Sequence, residues 1–143
     1  MVNKARRKDI FEVFESVQKT KSRQDKINIL KENNCSALRD VCRGFYDDVI
    51  QWNLPPGTPP YTPNIPQSVS STLLKQHLQF KYFVKGSIGD QLPAFKRERI
   101  FVNVLESIHP KDAEILIDMI NKKPIKGITK KLVEETFPKL IVK

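Results

Sequence analysis

Residues 36–49, SALRDVCRGFYDDV, form the stretch that decides the fold. Their apolar side chains recur at intervals of three and four residues, which places them along one side of an α-helix. They belong to Leu38, Val41, Cys42, Phe45 and Val49. Ser36 is a suitable N-cap, because its hydroxyl can accept a hydrogen bond from an early backbone N–H of the helix. The stretch therefore predicts an α-helix with one buried face.

Similar periodicity on both sides of this stretch predicts further short helices and no pair of strands. Ser22 and Asp25 resemble a capping box and indicate that a second helix begins there. The other expected helices cover residues 8–18, 70–84, 93–108 and 110–121, and a last one starts near Thr129. The expected fold class is all-α: a single compact domain over residues 1–143, with about six to seven short helices.

The bulk composition is that of a globular protein with an unusual charge. The chain has 143 residues, of which 39% are hydrophobic and 29% charged, so it can bury a core as one domain. No apolar run approaches the roughly 18 residues of a membrane-spanning helix, and no membrane partner is expected. The formal net charge of +9 favours an anionic partner such as nucleic acid or an acidic protein.

A proline-rich loop follows the third expected helix. Residues 54–66 hold six of the ten prolines, so this segment cannot be helical. We interpret it as a strap across the surface of its own domain, held down near Trp52 and Tyr61. The alternative is an exposed ligand for an aromatic groove of another protein.

The last quarter of the chain concentrates positive charge around a glycine. Residues 121–132 read NKKPIKGITKKL, and the segment 122–143 contains seven lysines against two acids. A glycine turn that opens a helix favours an anion, because early amides of a helix lack partners inside it. The predicted phosphate-binding residues here are Lys122, Lys123, Lys126, Gly127, Ile128, Thr129, Lys130 and Lys131. The amides of Gly127 and Ile128 are expected to supply the geometry.

Two further basic clusters strengthen this interpretation. One contains Lys19, Lys21, Arg23 and Lys26, between the first two expected helices. The other contains Lys4, Arg6, Arg7 and Lys8, where residues 1–7 are expected to form a basic tail that need not be ordered. Several basic clusters at turns suit a domain that contacts a phosphate backbone at several points.

Catalytic and metal-binding patterns are missing from the sequence. No phosphate-binding loop, zinc-protease or nucleophile-elbow motif occurs. Cys35, Cys42, His77 and His109 do not have zinc-site spacing, and Cys42 and His77 are interpreted as packed residues. The Gly86–Gly89 pair is interpreted as a turn between helices rather than as the nucleotide clamp of a KH domain. The chain is expected to be no enzyme and to need no metal or cofactor.

The chain resembles the N-terminal helical DNA-binding domain of bacteriophage ATP-dependent DNA ligases. The resemblance rests on residues 20–26 (TKSRQDK), 29–33 (ILKEN), 38–41 (LRDV), 54–57 (LPPG), 112–116 (DAEIL), 126–129 (KGIT) and 137–141 (FPKLI). It spans most of the chain, although the stretch from Leu78 to Gly89 is looser.

This resemblance implies contacts with backbone phosphates on the minor-groove side of a nicked duplex. The family's contact turn matches Lys126–Thr129, so Lys123, Lys126, Gly127, Thr129 and Lys130 are the residues expected to inherit the role. The chain lacks the Lys-x-Asp-Gly motif of the ligases' nucleotidyltransferase domain. The resemblance therefore implies the DNA-holding module without its chemistry, from a phage and acting in the cytoplasm of an infected bacterium.

The function predicted from sequence is non-enzymatic binding of duplex or nicked DNA through its phosphates, with little sequence specificity. It would serve phage replication, repair or transcription. The alternative is a protein-interaction adaptor that docks on an acidic partner such as a sliding clamp or the host RNA polymerase. The proline-rich loop and the tail from Leu140 to Val142 would then be the docking elements.

Overall fold

A computed structural model of the protein describes residues 8–141, which form seven α-helices joined by loops and short 3₁₀ turns. The helices are α1 (Ile10–Gln18), α2 (Arg23–Glu32), α3 (Ser36–Tyr46), α4 (Leu73–Gln76), α5 (Ala94–Ser107), α6 (Pro110–Ile120) and α7 (Lys130–Thr136). Apart from one isolated bridge between Trp52 and Val84, this part of the chain shows no β-pairing. The predicted all-α fold is confirmed, and the expected basic tail at 1–7 lies outside the described residues.

Helix α3 contacts α4 and α6. Four of its five predicted core residues, Leu38, Val41, Cys42 and Phe45, are buried. The burial of Cys42 raises the pKa of its thiol to about 12, as expected of a packed cysteine. Helices α1 and α5 pack against α6, while α7 packs against α2. The contact between α2 and α7 brings the basic cluster at 19–26 close to the lysine-rich segment at 122–131.

Both ends of α3 differ from the expectation. The N-cap is Cys35 rather than Ser36: its Sγ accepts the Leu38 N–H at 3.5 Å. At the other end, Val49 lies beyond the helix and is 63% exposed, so its assignment to the core is wrong. The buried carboxylate of Asp47 accepts the Val49 N–H at 3.0 Å, and this local bond turns the backbone out of the helix.

The predicted helix over 70–84 is also wrong, because α4 is a single turn followed by the 3₁₀ segment His77–Tyr82. His77, Phe80 and Phe83 are all buried in this region. A 3₁₀ helix has three residues per turn, so side chains at intervals of three share one face. The tighter winding thus turns three rings toward the core. The His77 ring is further fixed by its Nδ1, which lies 2.6 Å from the Asp40 carboxylate.

The Gly86–Gly89 turn between α4 and α5 is confirmed. Gly86 has φ +83°, and its N–H donates to the Asp90 carboxylate at 2.6 Å, so this amide is already bound. A Cβ on Gly89 would lie 1.8 Å from the carbonyl oxygen of Tyr82, which excludes any side chain there.

The proline-rich segment 54–66 crosses the surface and is held down, as expected. At its start, Trp52 is buried and its indole N–H donates to the Gly44 carbonyl at 3.1 Å. Farther along, the Gly57 N–H donates to Oδ1 of Asn121 at 2.7 Å, and Nδ2 of Asn121 donates back to the Gly57 carbonyl at 3.1 Å. We call residues 54–66 the strap.

Candidate nucleic-acid interface

The lysine-rich segment after α6 forms a tight turn. The Ile128 N–H donates to the Ile125 carbonyl at 3.2 Å, and Gly127 has φ +78°, a conformation that suits glycine. The Ile128 side chain is fully buried under the turn. Ile128 is therefore an anchor, and the expectation that its amide is available to a phosphate is wrong.

Thr129 and two lysines carry the chain from this turn into α7. The Thr129 hydroxyl accepts the Leu132 N–H at 3.1 Å, so the predicted helix start is confirmed with Thr129 as N-cap. Thr129, Lys130 and Lys131 are all exposed. They can therefore reach a ligand without any change in the packing of α7.

A tyrosine in α3 clamps the turn from below. The Tyr46 hydroxyl accepts the Ile125 N–H at 2.9 Å and donates to the Ile128 carbonyl. Burial raises the pKa of Tyr46, which keeps the hydroxyl protonated as this pair of bonds requires. Sequence reasoning missed this residue, because nothing in its local pattern indicates a partner about eighty positions away.

Helices α1 and α2 contact the same turn from the side. Nε2 of Gln18 donates to the Lys126 carbonyl at 3.0 Å, and Nζ of Lys26 donates to the Gly127 carbonyl at 3.0 Å. The second basic cluster and the lysine-rich turn, distant in sequence, are therefore neighbours. Gln18 is a further residue that the sequence analysis did not identify.

A cleft of about 100 Å³ lies where these segments meet. Its lining consists of Lys21, Arg23, Lys26, Gly127, Thr129 and Leu132, and we call it the basic cleft. Three cationic side chains, a threonine hydroxyl and a glycine turn are groups that bind phosphate oxygens in proteins.

Acidic side chains neutralise only part of this charge. Arg23 lies 2.6 Å from Glu135, with about half of each side chain exposed, and Lys130 lies 3.8 Å from Asp48. Such exposed pairs contribute little and can exchange partners with an incoming anion. Five other predicted lysines are exposed and have no ion-pair partner among residues 8–141. They are Lys19, Lys21, Lys123, Lys126 and Lys131.

Lys122 differs from the other predicted lysines. It adopts φ +55°, and its ammonium group donates to the Asp47 carbonyl at 3.0 Å. Partial burial lowers the pKa of Lys122. The structure therefore uses this lysine to hold the end of α6 against the end of α3, and its charge faces the surface less freely than expected.

The third basic cluster is mostly outside the described part of the chain. Lys4, Arg6 and Arg7 belong to the undescribed residues, and Lys8 is exposed just before α1. Two of the three predicted clusters thus lie side by side.

Features of other kinds of site are few. Within residues 8–141, no group of three His, Cys, Asp or Glu side chains could hold a metal ion. None of the helices there combines the length and apolar character needed to cross a bilayer.

Comparison with known proteins identifies the family. A comparison with curated proteins finds no match to the chain. The model of one protein family, described as a family of unknown function, matches residues 13–126, which include the second basic cluster and the first part of the lysine-rich turn. The description of this family names no ligase, so the resemblance to ligase domains stays a prediction. The chain belongs to this family, DUF6433.

Proposed function

We propose that this protein is a non-enzymatic DNA-binding protein that holds the phosphate backbone of duplex or nicked DNA in the basic cleft. The flanking lysines Lys126, Lys130 and Lys131 extend the contact along the backbone. Binding through phosphates carries little sequence specificity. The resemblance to phage ligase domains adds a preference for nicked duplex, and a role in phage replication, repair or transcription in the cytoplasm of an infected bacterium.

One observation carries the proposal: the bond from Lys26 to Gly127 joins two basic segments that are separated by 101 positions. Had the positive charge of the chain served solubility alone, there would be no reason for these segments to meet in one cleft. Their exposed cations can neutralise neighbouring phosphates and release the counterions condensed there.

The test is a binding titration with fluorescent intact duplex, nicked duplex and single-stranded DNA of equal length at two salt concentrations. The expected result is duplex binding that weakens steeply with salt, with a slope equivalent to roughly four to six neutralised phosphates. The charge-reversal pair Lys21→Glu with Lys126→Glu should reduce that slope by about 2, since each lost phosphate contact contributes about 1. Tighter binding of nicked than of intact duplex is expected from the ligase resemblance.

A matched control uses Lys75→Glu with Lys85→Glu. Both lysines are exposed, neither lines the basic cleft, and the change in net charge is the same. Equal weakening by the two pairs would mean that only the total charge matters and would overturn the cleft as the site. No duplex binding at low salt would overturn the DNA proposal and favour an acidic protein partner.

A further inference from the structure

A groove runs between α5 and the strap, and it shares no lining residue with the basic cleft. Its volume is about 700 Å³, which lies within the range of ligand sites. One wall is made by proline rings of the strap, and the other by one side of α5. Its lining includes Pro55, Pro59, Phe95, Glu98, Arg99 and Val102.

Helix α5 presents two faces, and only one of them is in the core. Arg97, Phe101, Val104 and Leu105 are buried. Phe95, Glu98 and Val102 recur at intervals of three and four residues, and so form a second face that the strap borders without filling. Phe95 is 66% exposed at this site. A partner that covers a large apolar side chain in a concave site binds favourably, because apolar surface is removed from water.

The walls of the groove are fixed before anything binds. The reciprocal bonds between Gly57 and Asn121 hold the strap near one end of the groove. After Pro60, the carboxylate of Glu106 in α5 accepts the Thr62 N–H at 2.7 Å, and the Glu106 backbone carbonyl accepts Nδ2 of Asn64 at 3.0 Å. A preformed groove binds without the entropic cost of ordering a loop.

The polar groups of the groove indicate what kind of partner fits. Two charged side chains line the groove: Arg99 is exposed, whereas Glu98 is partly buried and forms no ion pair with any residue from 8 to 141. Desolvating a carboxylate without a partner is unfavourable, so a cation at this position would be stabilising. The prolines have no N–H, and within the same residues no donor reaches the carbonyls of Pro55, Pro56, Pro59 or Pro60. The strap therefore offers acceptors to the amide groups of an extended chain.

We propose that the groove binds an extended peptide segment of a partner protein in which an aromatic or large aliphatic side chain is followed by a lysine or arginine. The apolar side chain packs on Phe95 and the proline rings, and the basic side chain pairs with Glu98. Backbone amides of the peptide donate to carbonyls of the strap.

The net charge of the protein makes this proposal easy to separate from non-specific attraction. A chain with a formal charge of +9 attracts acidic peptides in general and repels basic ones. A preference for a basic peptide therefore has to come from a local carboxylate.

The experiment uses the full chain and three fluorescent peptides of equal length, each with one central tryptophan followed by lysine, glutamine or glutamate. Fluorescence anisotropy is expected to show the tightest binding for the lysine peptide. Phe95→Ala should weaken that binding about tenfold, as truncation of an interface anchor does. Glu98→Gln should weaken it about five- to tenfold and remove the preference for lysine over glutamine.

Leu78→Ala is the matched control, because Leu78 is 64% exposed and does not line the groove. It should leave peptide binding unchanged. Equal binding of the three peptides, or unchanged binding by Phe95→Ala, would overturn the proposal. So would a dimer in sedimentation that Phe95→Ala dissociates, since the occupant would then be a second copy of the chain. None of these outcomes depends on DNA binding.

Discussion

The ammonium group of Lys26 lies 3.0 Å from the carbonyl oxygen of Gly127, and through this bond α2 holds the turn that leads into α7. Arg23, one turn earlier in α2, reaches Glu135 of α7. The two helices thus meet through polar contacts at the surface as well as through their buried faces. Lys26 has a double role. It supplies charge to the basic cleft, and it holds the lysine-rich turn that lines the other side of that cleft.

Lys26→Met allows the contribution of Lys26 to stability to be measured separately from its contribution to DNA binding. Methionine keeps an unbranched side chain of similar length but removes the ammonium group, so the Gly127 carbonyl is left to water. We expect a loss of about 1 kcal/mol in the free energy of unfolding, because the bond is partly exposed. DNA binding should weaken more than it does with Lys75→Met, which removes the same charge outside the cleft. Urea unfolding and the DNA titration measure the two effects, and equal weakening by both variants would contradict the double role.

The Tyr46 hydroxyl is expected to stabilise the lysine-rich turn. Tyr46→Phe removes the acceptor of the Ile125 N–H and the donor to the Ile128 carbonyl, so two partly buried backbone groups lose their partner. The expected loss is about 2 kcal/mol in the free energy of unfolding. It can be measured by urea denaturation with the fluorescence of Trp52, the single tryptophan of the chain.

Tyr82→Phe is the control for this measurement. The Tyr82 hydroxyl makes no hydrogen bond with residues 8–141, and its removal should change stability by less than about 0.5 kcal/mol. If Tyr46→Phe is as mild as this control, the clamp contributes nothing to stability.

Local signals explain why much of the fold could be predicted from the sequence. Ser22 and Thr129 are N-caps because their hydroxyls bond within their own turn, and such a signal is complete within four residues. The α3 stripe is equally local. The end of α3 at Asp47 was not predicted, because it depends on a carboxylate that becomes buried only when the whole domain folds. The short α4 was missed for a similar reason, since its 3₁₀ continuation depends on where His77 packs.

The candidate site was predictable in composition but not in arrangement. Lysines around a glycine turn are visible in the sequence, as is the second basic cluster. Their convergence depends on the packing of α2 against α7 and on the bonds from Gln18 and Lys26 to the turn. The Ile128 amide, which the sequence alone left available, is bound within its own turn by the Ile125 carbonyl.

Asp112 is expected to make stability depend on pH. Its carboxyl is fully buried, and Oδ1 accepts the Phe11 N–H at 2.9 Å while Oδ2 has no hydrogen-bond partner among residues 8–141. Burial, reinforced by the nearby charges of Asp9 and Glu12, raises the pKa of Asp112 from 3.8 to about 7. Between these two values the folded protein retains a proton that the unfolded chain releases. This contribution to stability is therefore complete below pH 4 and is lost as the pH rises to about 7.

Asp112→Asn tests this dependence. The carboxamide keeps an oxygen for the Phe11 N–H and cannot ionise, so the variant should be more stable than the wild type at pH 8. The difference is on the order of 4 kcal/mol if the whole shift is realised. Urea denaturation at a series of pH values from 4 to 8 should show a smaller decline for the variant. Glu114→Gln, an exposed change on the same helix, should leave the wild-type decline intact. If the free energy of unfolding of Asp112→Asn declines with pH as much as that of the wild type, the decline arises from other titrating groups.

Arg97 is expected to be the most sensitive of the buried polar residues. Its guanidinium donates to three backbone carbonyls, those of Asn53 at 2.7 Å, Gly89 at 3.2 Å and Leu92 at 3.1 Å. Asn53 immediately precedes the strap, Gly89 belongs to the glycine turn, and Leu92 lies two residues before α5. A single side chain thus joins three irregular segments that have little regular secondary structure to hold them.

Arg97→Met should therefore lower the free energy of unfolding by about 3 kcal/mol, because methionine fills similar space but removes a donor from each carbonyl, and in the described part of the chain only the Gly89 carbonyl keeps another, the Leu92 N–H at 3.0 Å. Arg99→Met is the matched control, since Arg99 is exposed and has no ion-pair partner among residues 8–141; its effect should stay within about 0.5 kcal/mol. Urea denaturation followed by Trp52 fluorescence compares them directly. Equal stability of the two variants would mean that water satisfies the carbonyls as well as the guanidinium does, and that the three segments hold their positions without it.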